Sequence, residues 1–178
     1  TLVALVNVDN ALFSLDFRAE ERLAQLYVQV AGRSGRAEKQ GEVVLQTHYP
    51  DHPLLTTLLE KGYQAFAEET LKLRHNMGLP PFSFQALFKA QCRHSEEAEN
   101  ALSQLASFFY EQKIEGLQVL GPIPAPFSKK AGQYRWQLLL QHPSRLILQQ
   151  VLNEFQTSDL NKPFQVRWVL DVDPLDLG

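Results

Sequence analysis

The chain has 178 residues but only one cysteine, one methionine and no excess of positive charge. A lone thiol, Cys92, excludes an internal disulfide framework and any multi-cysteine zinc site. It stands in an alternating apolar run, which predicts a buried structural thiol, and such sparing use of cysteine fits the cytoplasm. No apolar run approaches the length needed to span a bilayer, and the N-terminal stretch has no basic region ahead of an apolar one. The phosphate-binding pattern G-x-x-x-x-G-K-[ST] is also missing, as is an adjacent Asp-Glu pair for magnesium. A net charge of −3 and a pI near 5.9 argue against binding nucleic acid through bulk charge, so any such binding falls to a local patch. Residues 116–153 form one such window: they include no Asp or Glu but hold Lys129, Lys130, Arg135 and Arg145. The five histidines are scattered and read as loop or helix-surface residues.

What the chain does have is Gln29-Val30-Ala31-Gly32-Arg33-Ser34-Gly35-Arg36, a Q-x-x-G-R-x-G-R stretch closing an amphipathic segment. A glutamine and two guanidiniums at spacings of four and three residues can line one side of a helix end. Arginine suits a transferring phosphate because its planar fork stays charged and bonds bidentately. A solvated Arg-Gly turn is the plain alternative for the octapeptide alone.

Its surroundings narrow the reading. Asp16-Phe17-Arg18-Ala19-Glu20-Glu21-Arg22 leads into it, and Gly41-Glu42-Val43 follows. The whole run resembles motif VI of the superfamily-2 helicases, and its Asp16-Phe17-Arg18-Ala19 lead resembles the primosomal replication-restart helicases. Gly78-Leu79-Pro80-Pro81-Phe82, Val119-Leu120-Gly121-Pro122, Pro124-Ala125-Pro126 and Trp168-Val169-Leu170-Asp171-Val172-Asp173-Pro174 resemble the same family. The likeness covers nearly the entire chain and leads to the expectation that the chain is the C-terminal part of a longer protein.

The fold class expected is α/β followed by α+β. Leu2-Val3-Ala4-Leu5-Val6 predicts a parallel strand buried on both faces, ended by Asp9 and Asn10. Asp16 is the expected N-cap of a helix with Leu23, Leu26, Tyr27 and Val30 inward. Residues 42–47 then predict a second strand. With the resemblance, residues 1–50 become the end of the second RecA-like helicase lobe. Residues 51–82 are expected to be a helical connector, with Leu54, Leu55, Leu58, Leu59, Tyr63, Phe66 and Leu71 on apolar faces, stopped by Gly78 and Pro80-Pro81. Residues 83–178 predict the ferredoxin-like order βαββαβ, which the resemblance makes an S10-like domain. Its elements are a strand over 84–92, a helix capped by Ser95, a short strand over 118–120 stopped by Gly121-Pro122, a strand over 134–141, a helix from Pro143, and a strand over 165–172.

The resemblance implies that Gln29 and Arg33 meet the γ-phosphate of ATP and that Arg36 is an arginine finger, the other half of the pocket lying outside this chain. It implies ATP and Mg²⁺ as cofactors of the intact protein, and Zn²⁺ held by a cysteine-rich insertion that no position here matches. This chain alone is therefore expected to hydrolyse no ATP. It further implies 3′→5′ unwinding at stalled forks, initiation of primosome assembly, and forked and single-stranded DNA, single-strand DNA-binding protein and other primosome proteins as partners, in the bacterial cytoplasm at the nucleoid. Lys129, Lys130 and Arg135, in a Gly-containing hairpin interleaved with aromatics, are the candidate DNA contacts. Tyr134 and Trp136 are assigned to the core instead. Arg145, at a helix N-terminus, is a candidate for a DNA phosphate or for the acidic tail of single-strand DNA-binding protein; an ordinary exposed arginine is the plain alternative. Asp171 and Asp173 read as solvated acids, and no metal site is expected. The rival readings are a non-enzymatic nucleic-acid or protein-binding module and another superfamily-2 DNA translocase.

Overall fold

The computed structural model describes residues 2–14, 16–34, 42–161, 166–175 and 177. The chain divides into two compact units, residues 1–77 and 78–178.

In the first unit β1 (Leu2–Leu5) and β2 (Glu42–Leu45) pair in parallel, with Leu2 opposite Glu42 and Leu5 opposite Leu45. The expectation that β1 is buried on both faces does not hold. Val3, Leu5, Val43 and Leu45 are half-buried on one face, whereas Leu2, Ala4 and Val44 are exposed, because the described sheet has two strands and apolar partners on one side only. Asp9 and Asn10 do not simply end the strand; they begin the single-turn helix α1 (Asp9–Leu12). The long helix α2 (Ala19–Ser34) starts three residues after Asp16, so Asp16 is not its N-cap. Its carboxylate instead accepts the Arg18 backbone N–H at 3.0 Å and holds the Arg22 guanidinium, pinning the chain just ahead of the helix. Helix α3 (Pro53–Thr56), with Pro53 at its first position, runs through a π-helical turn (Thr57–Lys61) into α4 (Gly62–Asn76).

Two small apolar clusters hold this unit together. Ala24, Leu54, Leu58 and Phe66 pack with Tyr27, and Val8, Leu12 and Leu55 pack with Leu5, Leu23 and Leu45. Leu26, Leu59, Tyr63 and Leu71, all expected inward, are exposed. Ala24 takes the inward place on α2, where a small side chain lets the helices approach closely.

The second unit has the order β3 (Phe84–Cys92), α5 (Ser95–Glu111), β4 (Gln118–Lys130), β5 (Gln133–His142), α6 (Arg145–Thr157), a 3₁₀ turn (Asp159–Asn161) and β6 (Arg167–Val172). The strands form one antiparallel sheet ordered β4-β5-β3-β6, so the first strands of the two β-α-β halves, β3 and β5, meet in the middle. This is the split βαβ arrangement. Both helices cover one face. Ala86, Phe88, Ala90, Leu138 and Leu140 from the strands meet Ala98, Leu102, Leu105, Phe109, Leu148, Val151 and Phe155 from the helices. Phe88, Phe109 and Phe155 lie with ring centroids 5.2–6.0 Å apart; each such ring is worth about 1.5–3 kcal/mol on burial.

Three local expectations are corrected here. Ser95 is the first residue of α5 and caps nothing; its hydroxyl accepts the Trp136 indole N–H at 2.9 Å. The strand over 118–120 does not stop at Gly121-Pro122 but runs on to Lys130, with irregular register between Leu120 and Ile123 and between Pro124 and Lys129. Prolines are tolerated there because β4 is an edge strand, whose outward N–H groups have no ladder to serve. Pro143 precedes α6, which is capped by Ser144: its Oγ accepts the Ile147 N–H at 3.5 Å.

Candidate functional site

Helix α2 presents Gln29 and Arg33 near its C-terminal end, one turn apart and both exposed. Arg36 lies outside the described residues. Arg33 stands in the last turn, where the helix dipole favours a cation. The helix is anchored at its other end. The Arg74 guanidinium from α4 donates to the Phe17 carbonyl at 3.2 Å and to the Glu21 carboxylate at 2.8 Å, and it lies 4.9 Å over the Phe17 ring. The Asp16-Phe17-Arg18 lead is thus a structural clamp that sets the direction in which α2 points its arginine. Beside it, burial pushes the Glu20 carboxyl up, with Arg74 pulling the other way.

A second polar cluster sits where β2 ends. The Asp9 carboxylate accepts the Thr47 hydroxyl, the His48 backbone N–H and the His48 ring at Nδ1, the last at 2.6 Å. The Thr47 and His48 hydrogen bonds hold its pKa below the ordinary carboxylate value. His48 and His52 stand four apart, a metal-ligand spacing on a helix, but they lie in the turn before α3, and His52 packs edge-on to Phe13.

In the second unit β4 and β5 join through Ala131-Gly132, both with positive φ, the two-residue turn that matches strand twist. The register divides the three candidate DNA contacts between the faces of the sheet. Lys129 pairs with Tyr134 on the helix-bearing face; its Nζ lies 4.8 Å over the Tyr134 ring. Lys130 is exposed opposite Gln133. Arg135 points to the other face, beside Gln91. Trp136 packs against the core as expected.

Arg145 begins α6, where its guanidinium donates to Asp173 at 2.6 Å and lies 4.9 Å over the Phe84 ring. The chain's own acid thus occupies the anion position proposed for a partner. Asp171 and Asp173 are not simply solvated: Asp171 is 3.5 Å from the Lys89 ammonium, and Asp173 is the partner of Arg145. Cys92 is half-buried rather than fully buried, its thiol donating to Glu97 at 2.9 Å. His142 is also no surface residue. It is 3 % exposed, accepts the Ser144 N–H at Nδ1 (2.8 Å) and sits 3.0 Å from the Glu115 carbonyl at Nε2, which makes Nε2 the protonated nitrogen. Among the described residues no group of three His, Cys, Asp or Glu could hold a metal. Nor, among them, is any helix long and apolar enough to cross a membrane.

Sequence reasoning missed the arrangement on the helix-free face of the sheet. At one end Gln85, Gln141 and Gln118 form an amide ladder: Gln85 donates to Gln141 at 2.6 Å, and Gln141 donates to Gln118 at 3.1 Å and to the Gly78 carbonyl at 2.9 Å. At the other end a cleft of about 230 Å³ is lined by Lys89, Gln91, Arg135, Gln137, Arg167 and Val169, among others. The signal was available in the strand alternation, which sends 86, 88 and 90 inward and 89 and 91 outward.

A parallel strand pair with an arginine-ended helix, followed in the chain by an antiparallel split-βαβ domain with a basic hairpin, defines a two-part α/β chain. Residues 75–175 match the family model of the primosomal protein N C-terminal domain, and the chain belongs to that family. It is 78% identical over 178 residues to the replication restart protein PriA of Haemophilus influenzae, covering all of this chain and 24% of that protein. Against the proteins of the same name from Treponema pallidum and Synechocystis, identity is 34% and 32%, over 99% of this chain and 27% and 21% of theirs. The chain thus spans about a quarter of the length of the curated relatives it matches. A designed protein, Foldit4, superposes on 52% of the chain with a TM-score of 0.35 at 9% identity, too low to bear on the fold.

Proposed function

We propose that this chain is the C-terminal part of an ATP-dependent 3′→5′ replication-restart DNA helicase. Residues 1–50 end its second RecA-like lobe, and an S10-like domain over 83–178 contacts forked DNA and partners. The observation that carries the reading is the exposed Gln29 and Arg33 pair at the end of a helix whose start is clamped by Arg74. In the intact protein Gln29 and Arg33 face the γ-phosphate of ATP, and Arg36 offsets charge that develops as the phosphoryl group leaves. ATP and Mg²⁺ are bound mainly by residues outside this chain, as is the Zn²⁺ of the intact protein. Lys129, Lys130 and Arg135 contact DNA phosphates. Arg145 exchanges Asp173 for the acidic tail of single-strand DNA-binding protein, and the protein works in the cytoplasm with the other primosome proteins.

The test is steady-state ATP hydrolysis by the full-length protein carrying Arg36→Lys or Arg33→Lys. A lysine keeps the charge but loses the bidentate fork. The expected outcome for Arg36→Lys is a kcat lower by about 10³-fold or more at unchanged forked-DNA affinity. Unchanged kcat would remove Arg36 from the chemistry.

A further inference from the structure

We infer that the helix-free face of the four-stranded sheet holds a nucleic-acid strand by its phosphates, in the cleft between Lys89, Arg135 and Arg167. The register builds this site. On the outward face Gln91 stands opposite Arg135 on β5 and Arg167 on β6, so two guanidiniums flank one amide across three strands. At about 4.8 Å per strand, the two arginine positions lie about 10 Å apart on the sheet. Lys89 is the next outward residue on the central strand, and Gln137 and Val169 are its neighbours. The resulting cavity, about 230 Å³, is large enough for one phosphate with its sugar.

Charge and polarity define the ligand. Lys89 has a long 3.5 Å contact with Asp171. Among the described residues no carboxylate lies within ion-pair reach of Arg135 or Arg167. Gln91 and Gln137 add amide donors and acceptors beside the cations. A split-βαβ sheet that reads bases does so with aromatic rings on its central strands. Here the outward residues of those strands at the cleft are Lys89 and Gln91 on β3 and Arg135 and Gln137 on β5, while Gln85, Leu87 and Gln141 farther along the same face are buried. None is aromatic, so the face grips backbone without stacking bases and is indifferent to sequence.

This inference rests on the nucleic-acid reading above and adds a site that the hairpin lysines do not share. The test is fluorescence anisotropy of labelled oligothymidylate with the 178-residue chain across a salt series. Four proteins are compared: wild type, Lys89→Gln/Arg167→Gln, Arg167→Lys, and the hairpin variant Lys129→Gln/Lys130→Gln. Arg167 is exposed and Lys89 half-buried, so both substitutions leave the core untouched. The expected result for the cleft double variant is weaker binding and a salt slope shallower by about 0.7 for each phosphate the cleft no longer neutralises. Arg167→Lys should keep the slope and lose part of the affinity. Weaker binding by the hairpin variant with an unchanged cleft variant would overturn the cleft and leave the hairpin reading standing. Weaker binding by the cleft variant alone would do the reverse. No binding by wild type would overturn the cleft. So would cleft-dependent binding of a labelled oligo-aspartate peptide with unaltered DNA binding, which would make the face a protein-docking surface.

Discussion

Arg74 shows how one side chain serves a site it never touches. It is the last-turn cation of α4, only 11% exposed, and it ties Glu21 and the Phe17 carbonyl to the start of α2. Its Nε remains without a partner among the described atoms, so the pairing is not saturated. Arg74→Ala leaves the Phe17 carbonyl and Glu21 without this donor, and a charged hydrogen-bond partner removed from a partly buried site costs roughly 1–3 kcal/mol. Urea unfolding followed by amide exchange in α2 checks this. Arg74→Lys should recover only part of the loss, because an ammonium cannot span both acceptors in the same plane. A loss below about 0.5 kcal/mol, the level of an ordinary surface change, would mean that the clamp contributes nothing.

Among the strands and helices, β4 shows how an unpromising sequence becomes a long strand. Gly121, Pro122, Pro124 and Pro126 interrupt any regular ladder, and on an inner strand they would end it. Gly121 has φ +110, and a Cβ there would meet the Gln137 carbonyl at 2.9 Å and the Ile123 nitrogen at 3.1 Å. Gly121→Ala is expected to cost about 1–3 kcal/mol, from a strained backbone compounded by that contact. Gly132→Ala has the same sign of φ but nothing within 4 Å, so it should cost less. Thermal unfolding of the two variants side by side gives the comparison, and equal costs would show that the close approach at Gly121 is relieved by movement of β4.

The chain as a whole joins units with unequal cores. The second unit closes its helices over a continuous cluster around Phe88, Phe109 and Phe155, whereas the first relies on the two small clusters around Phe66 and Leu55. Opening free energies follow buried apolar contact. Native-state hydrogen exchange should therefore show β1, β2 and α2 opening before β3, α5 and β5. Protection of α2 equal to that of β3 would contradict this.

Much of this architecture was legible in the chain itself, because strand and helix periodicities are local. The alternation of Phe84, Ala86, Phe88 and Ala90, and the stripe of Ala98, Leu102, Leu105 and Phe109, name their buried faces without further help. The Gln29 and Arg33 spacing on a helix end is likewise a local property. What periodicity cannot carry is partnership between distant residues. Ser95 serving Trp136, Arg145 meeting Asp173 and His142 buried against Glu115 all depend on which strand lies beside which. So does the cleft: Lys89, Arg135 and Arg167 are far apart in sequence, and the order β5-β3-β6 gathers their charges at one cleft. Side-chain period alone names most of the elements and, in the second unit, their apolar faces. Which polar groups meet is settled only in the folded chain, because strand order and register are set by packing the whole core at once.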